Sequence, residues 1–541
     1  MTDSMQQMAL DTLGAYFGYT SFRPGQDRMV DAILAGRDAL GVMPTGAGKS
    51  ICYQVPALML PGITFVVSPL LSLMEDQTRA LLAAGARPSY LNSSLTPAQQ
   101  NTVLKRAREG RYQLMYVAPE RLLEPRFLAF AQEAAGSAGI GVPLVAIDEA
   151  HCVSQWGQDF RPAYLQIREF IDSLPQRPIV AAFTATATER VRADIQQMLG
   201  LQNPATVVTG FDRKNLYFGC EEMGDKAKAA WVRDYVIAHS SESGIVYCST
   251  RKTVDALAAE LAEALGPSGI RVGRYHAGMG NDARRQSQRA FIDDDIQVMV
   301  ATNAFGMGID KPNVRFVIHY NMPKDLESYY QEAGRAGRDG QPSRCTLLYS
   351  GTDVRTIRFF IDKELEADNG LPADVKAEAA RKAEERLKYM TFYSTTPKCL
   401  RGFLLEYFGE AAPKKCGNCS CCLAAEQEAQ LQLETSRRRA ADNAHRLEKP
   451  RRTKSTAGAA PLSEADEKLL NALYAQRKRL AGKQNVPAFM VFSDATLREM
   501  VEKKPLSLDE LLNISGVGEK KAARYGTTFL RIIEDAVENR E

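Results

Sequence analysis

The amino-acid sequence predicts an α/β protein built from two open parallel-sheet lobes, a helical metal-binding module and a C-terminal all-α bundle. Three observations carry this. Short apolar runs alternate with amphipathic stretches twice over between residues 1 and 350, the alternation stops after Gly351, and five cysteines crowd into residues 399–422. At 541 residues the chain is too long for one hydrophobic core, and a typical domain of roughly 100–200 residues implies several of them.

The first set of runs is Ile63–Ser68, Gln113–Val117, Leu144–Asp148 and Ile179–Thr184. Each is mainly apolar, as a strand covered on both faces must be, and each is followed by turn residues and an amphipathic stretch. Residues 1–208 therefore read as one lobe. Gly244–Cys248, Val298–Thr302, Phe316–His319 and Thr346–Tyr349 repeat the layout in residues 209–350. Residues 351–423 read as helices, for example Val375–Phe392, leading into the cysteines. Residues 424–460 are rich in Arg, Ala, Gln and Glu, with basic runs at Arg437–Arg439 and Arg446–Lys454 and almost no apolar face, which predicts a flexible linker. Apolar periodicity returns with Leu469, Leu470, Leu473 and Leu480, so residues 461–541 form a second helical domain.

The 45% hydrophobic and 25% charged fractions are those of a soluble globular protein, and a net charge of +3 is too mild to identify a partner. No apolar run approaches the ~18 residues of a membrane span, and the N-terminus lacks the basic and apolar regions of a secretion signal. The expectation is a cytoplasmic protein with no membrane partner. In a reducing compartment clustered cysteines mean metal, while scattered ones such as Cys52 and Cys248 are small buried hydrophobes.

Met43-Pro-Thr45-Gly46-Ala47-Gly48-Lys49-Ser50 stands between an apolar strand and a helix, the setting of a phosphate loop. Backbone N–H groups in such a turn wrap the β- and γ-phosphates, the helix N-terminus adds positive charge, Lys49 neutralises and Ser50 holds Mg²⁺. About a hundred residues later Asp148 and Glu149 directly follow a strand. Asp148 is placed to reach Mg²⁺ and Glu149 to deprotonate the attacking water. An Asp–Glu pair alone is weak evidence; with the phosphate loop it is strong. Gln331-Glu-Ala-Gly-Arg335-Ala-Gly-Arg338 supplies two arginines three apart, expected on one helix face, to meet the charge that develops on the transferring phosphoryl group.

Cys399, Cys416, Cys419, Cys421 and Cys422 contain a Cys-x₂-Cys-x₂-Cys pattern with one cysteine upstream. Four thiolates at about 2.3 Å make a closed tetrahedral Zn²⁺ site that serves folding. An iron–sulfur cluster is the rival reading.

These motor motifs, the run Phe17-Gly-Tyr19-Thr-Ser-Phe22-Arg23-Pro-Gly-Gln26, and Ala150-His-Cys-Val-Ser-Gln155-Trp156-Gly-Gln158-Asp159-Phe160-Arg161 together resemble the RecQ family of DNA helicases over residues 1 to about 425. The resemblance implies two RecA-like lobes, ATP as substrate and 3′ to 5′ movement on single-stranded and partially duplex DNA, in recombination, replication and repair. It implies that Tyr19, Arg23 and Gln26 hold adenine, that Thr184 and Thr186 couple hydrolysis to lobe movement, and that Thr302, opening the run to Asp310, joins DNA to nucleotide. Gln155, Trp156, Phe160 and Arg161 are implied DNA contacts, an aromatic pair on which bases stack, although Trp156 and Phe160 also suit a core. Where the family usually shows His this chain has Gln158, which hydrogen-bonds but cannot ionise. The zinc ligands implied are Cys399, Cys416, Cys419 and Cys422, leaving Cys421 extra.

Residues near the C-terminus, including Ser493–Leu497, Lys503-Lys504-Pro505 and Gly516-Val-Gly518-Glu-Lys520-Lys521, resemble the HRDC domain, an accessory DNA-binding bundle. The glycine turn suits a DNA phosphate; packing is the alternative. A winged-helix domain, common in the family, has no room between Cys422 and Leu462. Rival functions are an RNA helicase of the DEAD-box kind, disfavoured by His151 and the cysteine module, and a non-catalytic nucleic-acid scaffold, which does not need Lys49, Glu149 and Arg338 together. Repair-protein partners and association with the bacterial nucleoid complete the expectations.

Overall fold

The computed structural model describes residues 3–154, 161–305, 311–366, 373–427, 464–484, 488–518 and 521–538. In the first lobe seven strands form one sheet: β1 (Ala39–Val42), β2 (Thr64–Val67), β3 (Pro88–Leu91), β4 (Leu114–Val117), β5 (Leu144–Ile147), β6 (Ile179–Thr184) and β7 (Ala205–Val208). Their order is β3-β4-β2-β5-β6-β1-β7, with every pair parallel. Because the strands are parallel, the loops leaving their C-terminal ends share one edge of the sheet. The neighbours β5, β6 and β1 thus bring the carboxylates, Thr184 and the phosphate loop together. Helices cover both faces. On one, Phe65 of β2 packs among Phe127, Phe130 and Phe170, at ring separations of 5.2 to 6.2 Å; truncating such a buried ring to Ala costs about 3–5 kcal/mol.

The second lobe is a six-stranded parallel sheet of β8 (Leu216–Glu222), β9 (Ser243–Tyr247), β10 (Val272–Tyr275), β11 (Val298–Ala301), β12 (Val314–His319) and β13 (Ser343–Tyr349), in the order β10-β11-β9-β12-β13-β8. All eight apolar runs read from the sequence form strands here or in the first lobe. So does the segment before the glycine-rich loop, as β1. The four strands not read, β3, β7, β8 and β10, are the four sheet edges, where the chain pairs with a strand on one side only and the apolar run is interrupted.

Helices Gly351–Glu366, Ala373–Thr395 and Leu400–Tyr407 carry the chain into the cysteine loop, which joins the second lobe through an isolated bridge between Phe218 and Cys419. The stacked rings of Phe211 and Phe408, 4.5 Å apart, add to the seam. The final bundle comprises helices Glu464–Gln484, Asp494–Lys503, Leu508–Leu512 and Thr527–Glu538 around a core that includes Leu473, Phe492, Leu497 and Phe529. It meets the second lobe where Lys478 pairs with Asp295 at 2.8 Å. The predicted linker lies almost wholly outside the described residues.

Candidate active site

The phosphate loop opens the helix Lys49–Met59. Gly46 and Gly48 adopt positive φ (85° and 80°), so the loop's backbone turns back over the helix N-terminus. Lys49 donates to Met43 O at 3.2 Å. Burial pulls its pKa down, and the charges of Glu149 and Asp148 oppose that fall. Asp148 is buried, and desolvation together with the Glu149 charge pushes its carboxyl up to about 7 despite Lys49. A buried carboxylate that lines the same cavity as Ser50, at the start of the helix Lys49–Met59, suits a divalent cation shared between them.

Glu149 is a non-glycine residue in the left-handed region, φ 48°, a conformation held only where its surroundings impose it. Its N–H donates to Asp148 Oδ1 at 3.0 Å. Its Oε2 lies 3.4 Å from His151 Nδ1, and the same ring nitrogen is 2.8 Å from Thr184 Oγ1. Thr184 also bonds Thr186, whose N–H donates to its hydroxyl at 3.3 Å. His151 therefore stands between Glu149 and the end of β6, with its Nδ1 hydrogen-bonded to Thr184 and the Glu149 carboxylate beside it. Both threonines are buried, so they face the protein interior.

On the adenine side Tyr19 is 42% exposed, leaving a ring face open to stack. Arg23 donates to Gly46 O at 2.6 Å. Gln26 is buried and engaged with its own chain: Oε1 accepts from Arg23 N at 2.9 Å, and Nε2 donates to Ala47 O and Gly48 O at 2.9 and 3.0 Å. In this state its amide braces the phosphate loop.

Arg335 and Arg338 do not lie on a helix, as their spacing predicted. The helix Leu326–Ala333 ends before them, and residues 334–339 form a turn with Gly337 at φ 57°. Gly337 permits this tighter course, and Gly334 leaves room for Thr45 of the other lobe, whose Cβ would lie 3.1 Å from a Cβ placed there. A Cβ on Gly46 would lie 3.3 Å from Arg338 Cγ, so Arg338 touches the phosphate loop. Arg335 is buried; desolvation lowers its pKa while Tyr247, Glu332 and Glu149 oppose the shift.

Sequence reasoning missed Arg213. Its Nη1 donates to Thr45 O of the phosphate loop, and its Nη2 to Ala336 O and Gly337 O of the arginine turn at 3.0 and 2.8 Å. It spans the two lobes. Apart from Asn215 Oδ1, which accepts from its Nε at 3.4 Å, its acceptors are backbone carbonyls, which leave no mark in a sequence.

Of the implied DNA contacts, Gln155, Trp156 and Phe160 lie outside the described residues, as do Gln158 and residues 306–310. Arg161 is described; its Nη1 donates to Pro69 O at 3.2 Å. Thr302 is buried directly after β11. The Gly516–Gly518 turn takes the packing alternative: a Cβ on Gly518 would meet Gly14 O at 2.8 Å and Gly18 Cα at 3.0 Å, so the turn rests on the first lobe beside the adenine run. Lys521 follows it, and burial pushes its pKa down to about 8. Lys504 pairs with Asp466 at 3.0 Å.

The Sγ atoms of Cys399, Cys416, Cys419 and Cys422 all lie within 4.8 Å of one another, close to the ~3.8 Å edge of a tetrahedron with zinc–sulfur bonds of about 2.3 Å. Cys421 stays outside this group; its thiol donates to Thr396 O.

The phosphate loop, the carboxylates, the adenine run and the arginine turn line one cavity of about 760 Å³ between the lobes. Such an arrangement defines a two-lobed, nucleotide-driven motor. Family models match along the chain in order: DEAD/DEAH box helicase at residues 23–195, helicase conserved C-terminal domain at 227–340, RecQ zinc-binding at 351–423 and HRDC at 466–533. The chain is 40% identical to the ATP-dependent DNA helicase RecQ of Bacillus subtilis, covering 98% of this chain and 99% of the relative. It is 36% identical to RecQ of Pasteurella multocida, covering 98% and 94%. Among solved structures, the Mycobacterium smegmatis helicase Lhr shares the fold at a TM-score of 0.52 and 18% identity, over 71% of this chain and 57% of that one. The chain belongs to the RecQ family and is an ATP-dependent DNA helicase. Its cofactors are ATP with Mg²⁺, and zinc, for which the four-cysteine cluster is built. Among the described residues no helix is long and apolar enough to cross a membrane.

Proposed function

We propose that this protein moves 3′ to 5′ along single-stranded DNA and separates duplex ahead of it, in recombination, replication and repair. The observation that carries the reading is the convergence of both lobes on one cavity, with the phosphate loop and carboxylates on one wall and the arginine turn on the other. Thr45, Gly46, Ala47, Gly48, Lys49 and Ser50 hold the phosphates, and Ser50 with Asp148 would hold Mg²⁺, which supplies charge neutralisation when bound. Glu149 takes the proton of the attacking water, and His151 ties it to Thr184 and Thr186, so that phosphate loss reaches the sheet edge. Arg338, against the phosphate loop, is the principal transition-state arginine and Arg335 supports it. Tyr19 stacks on adenine with Arg23 beside it. Base recognition by Gln26 requires its amide to leave Ala47 O and Gly48 O, which couples adenine binding to the set of the loop. Gln155, Trp156, Phe160, Arg161 and Thr302 serve DNA contact and coupling. Cys399, Cys416, Cys419 and Cys422 hold zinc.

The chain is divided at 1–208, 209–350, 351–423, 424–460 and 461–541 in this reading, and it lacks a winged helix. The short interval between Cys422 and Leu462 supports this: it holds under forty residues, fewer than the roughly 50 of the smallest domains. The protein works in the cytoplasm at the nucleoid, with DNA-repair partners. Strand displacement on duplexes carrying a 3′ tail, a 5′ tail or no tail tests direction and loading together. Unwinding of the 3′-tailed duplex alone is expected; blunt or 5′-tailed unwinding overturns the proposal. Stimulation of the ATPase by RNA as strong as that by single-stranded DNA overturns the substrate.

A further inference from the structure

The arginine turn carries no regular secondary structure, yet it must hold two guanidinium groups in register with phosphates bound by the other lobe. What holds it comes from elsewhere in the chain. Arg213 Nη1 donates to Thr45 O and, at 3.4 Å, to Gly334 O; Nη2 donates to Ala336 O at 3.0 Å and Gly337 O at 2.8 Å. These carbonyls bracket Arg335 and precede Arg338. Asn215, two residues on, donates from Nδ2 to Gly337 O and Gln341 O, both at 2.9 Å. The fit is close: a Cβ on Gly337 would lie 2.4 Å from that Nδ2.

The segment that carries Arg213 is itself fixed by the zinc module. Arg401 Nη1 donates to Asp212 Oδ1 at 2.6 Å and to Arg213 O at 2.7 Å, and its Nη2 donates to Leu216 O. Arg401 is buried in the first turn of the helix Leu400–Tyr407, whose N-cap is Cys399. Asn418, between Cys416 and Cys419, adds Nδ2 bonds to Leu216 O at 3.1 Å and Lys214 O at 3.4 Å. Zinc-loop residues thus grip the segment 212–216 from one side, and that segment grips the arginine turn from the other.

We propose that Arg213 is a positioning residue for ATP hydrolysis, setting the Arg335–Arg338 turn against the phosphate loop and taking its own place from the zinc module through Arg401. The chemistry requires Arg. A planar fork with five N–H donors reaches carbonyls of both lobes at once, whereas an ammonium is a point charge that serves one cluster. Burial lowers the pKa of Arg213, Tyr330 opposes that fall and Arg338 adds to it. The inference rests on the reading of that turn as the source of transition-state charge.

The test uses the full-length, zinc-loaded protein. Arg213→Lys keeps the charge and loses the fork; Arg401→Lys does the same one step upstream. Three quantities are measured: kcat for ATP with saturating single-stranded DNA, the Kd of a fluorescent ATP analogue, and bound zinc. For Arg213→Lys the expected result is a kcat at least about tenfold lower with Kd within about threefold, the signature of an interaction needed for turnover rather than binding. Arg401→Lys is expected to move kcat the same way by less, and the double variant to fall short of the product of the two, since both act through one path. Zinc stays at one per chain. Asn215→Ala, which touches the same turn from a different side chain, provides a second reading if Arg213→Lys fails to fold. A kcat within about twofold of the unmodified protein in Arg213→Lys, or a loss confined to Kd, overturns the proposal. Arg338→Ala serves as the control: if it too leaves kcat intact, the reading of the turn has failed; if it alone lowers kcat, only the role of Arg213 has.

Discussion

The two walls of the nucleotide cleft are built in different ways. On the first lobe the phosphate loop, the carboxylates and Thr184 each sit at the end of their own strand, and the parallel order β5-β6-β1 brings them together. The phosphate loop takes its shape from two positive-φ glycines, and Glu149 is bonded to its own neighbour Asp148. On the second lobe the arginine turn is held by Arg213, between 121 and 124 residues earlier in the chain, and through it by Arg401 of the zinc module. The first wall is set by strand order and by the geometry of its own loops, and the second by side chains reaching in from distant segments. Damage to the zinc module should therefore reach hydrolysis through the second wall while nucleotide binding on the first survives.

The largest expected effect breaks the first wall alone. Lys49→Ala removes the charge over the β- and γ-phosphates, so nucleotide binding measured by fluorescence titration should be lost, and the DNA-stimulated ATPase with it, while the zinc content is unchanged. Retained binding would move the phosphate site off this loop. Next in size is Glu149→Gln, which keeps the shape but cannot accept a proton; ATP binding should persist and turnover fall by about 10²–10⁴-fold. Cys419→Ala attacks the second wall from a distance. Because metal-binding energy is folding energy in such sites, the variant should lose its zinc and become poorly soluble.

A smaller effect sits on the seam between the second lobe and the zinc module. Glu327 accepts from the Tyr407 hydroxyl, and burial, with the Asp325 charge, pushes its carboxyl up to about 7. The folded protein then holds a proton there between the ordinary carboxylate range and about pH 7, where the unfolded chain has released it. By linkage, stability falls as pH rises through that window and levels off above it. Melting followed from pH 5 to pH 8 should show the decline, and Glu327→Gln should reduce its slope, the remainder belonging to Asp148, whose carboxyl is raised over the same window; an unchanged pH profile in that variant would acquit Glu327. Smallest of all is Cys421→Ser, expected to leave zinc content and ATPase unaltered. An essential Cys421 with a dispensable Cys422 would reverse the ligand assignment.

The same contrast explains what could be read from the sequence. Strands buried on both faces were legible as unbroken apolar runs, and the four that escaped are the sheet edges, where polar residues interrupt the pattern. The phosphate loop, the Asp148–Glu149 pair and the four cysteines were legible because their chemistry depends on spacing along the chain. The arginines were legible as residues but not in conformation: three-residue spacing suggested a helix face, but the helix ends at Ala333 and Gly337 turns the chain. Arg213 and Arg401 left no signal, because their partners are mostly backbone carbonyls that any residue provides. The Gly516–Gly518 turn, suited to a DNA phosphate, rests on Gly14 and Gly18, a surface that no local motif announces.

The division of labour between the walls is tested most directly by Arg338→Ala in the full-length protein, measuring ATP-analogue affinity and DNA-stimulated kcat side by side. The account predicts affinity within about threefold of the unmodified protein and a kcat lower by about 10³-fold or more, the scale of a missing transition-state arginine. A kcat that survives, or an affinity that collapses in step with it, would contradict it.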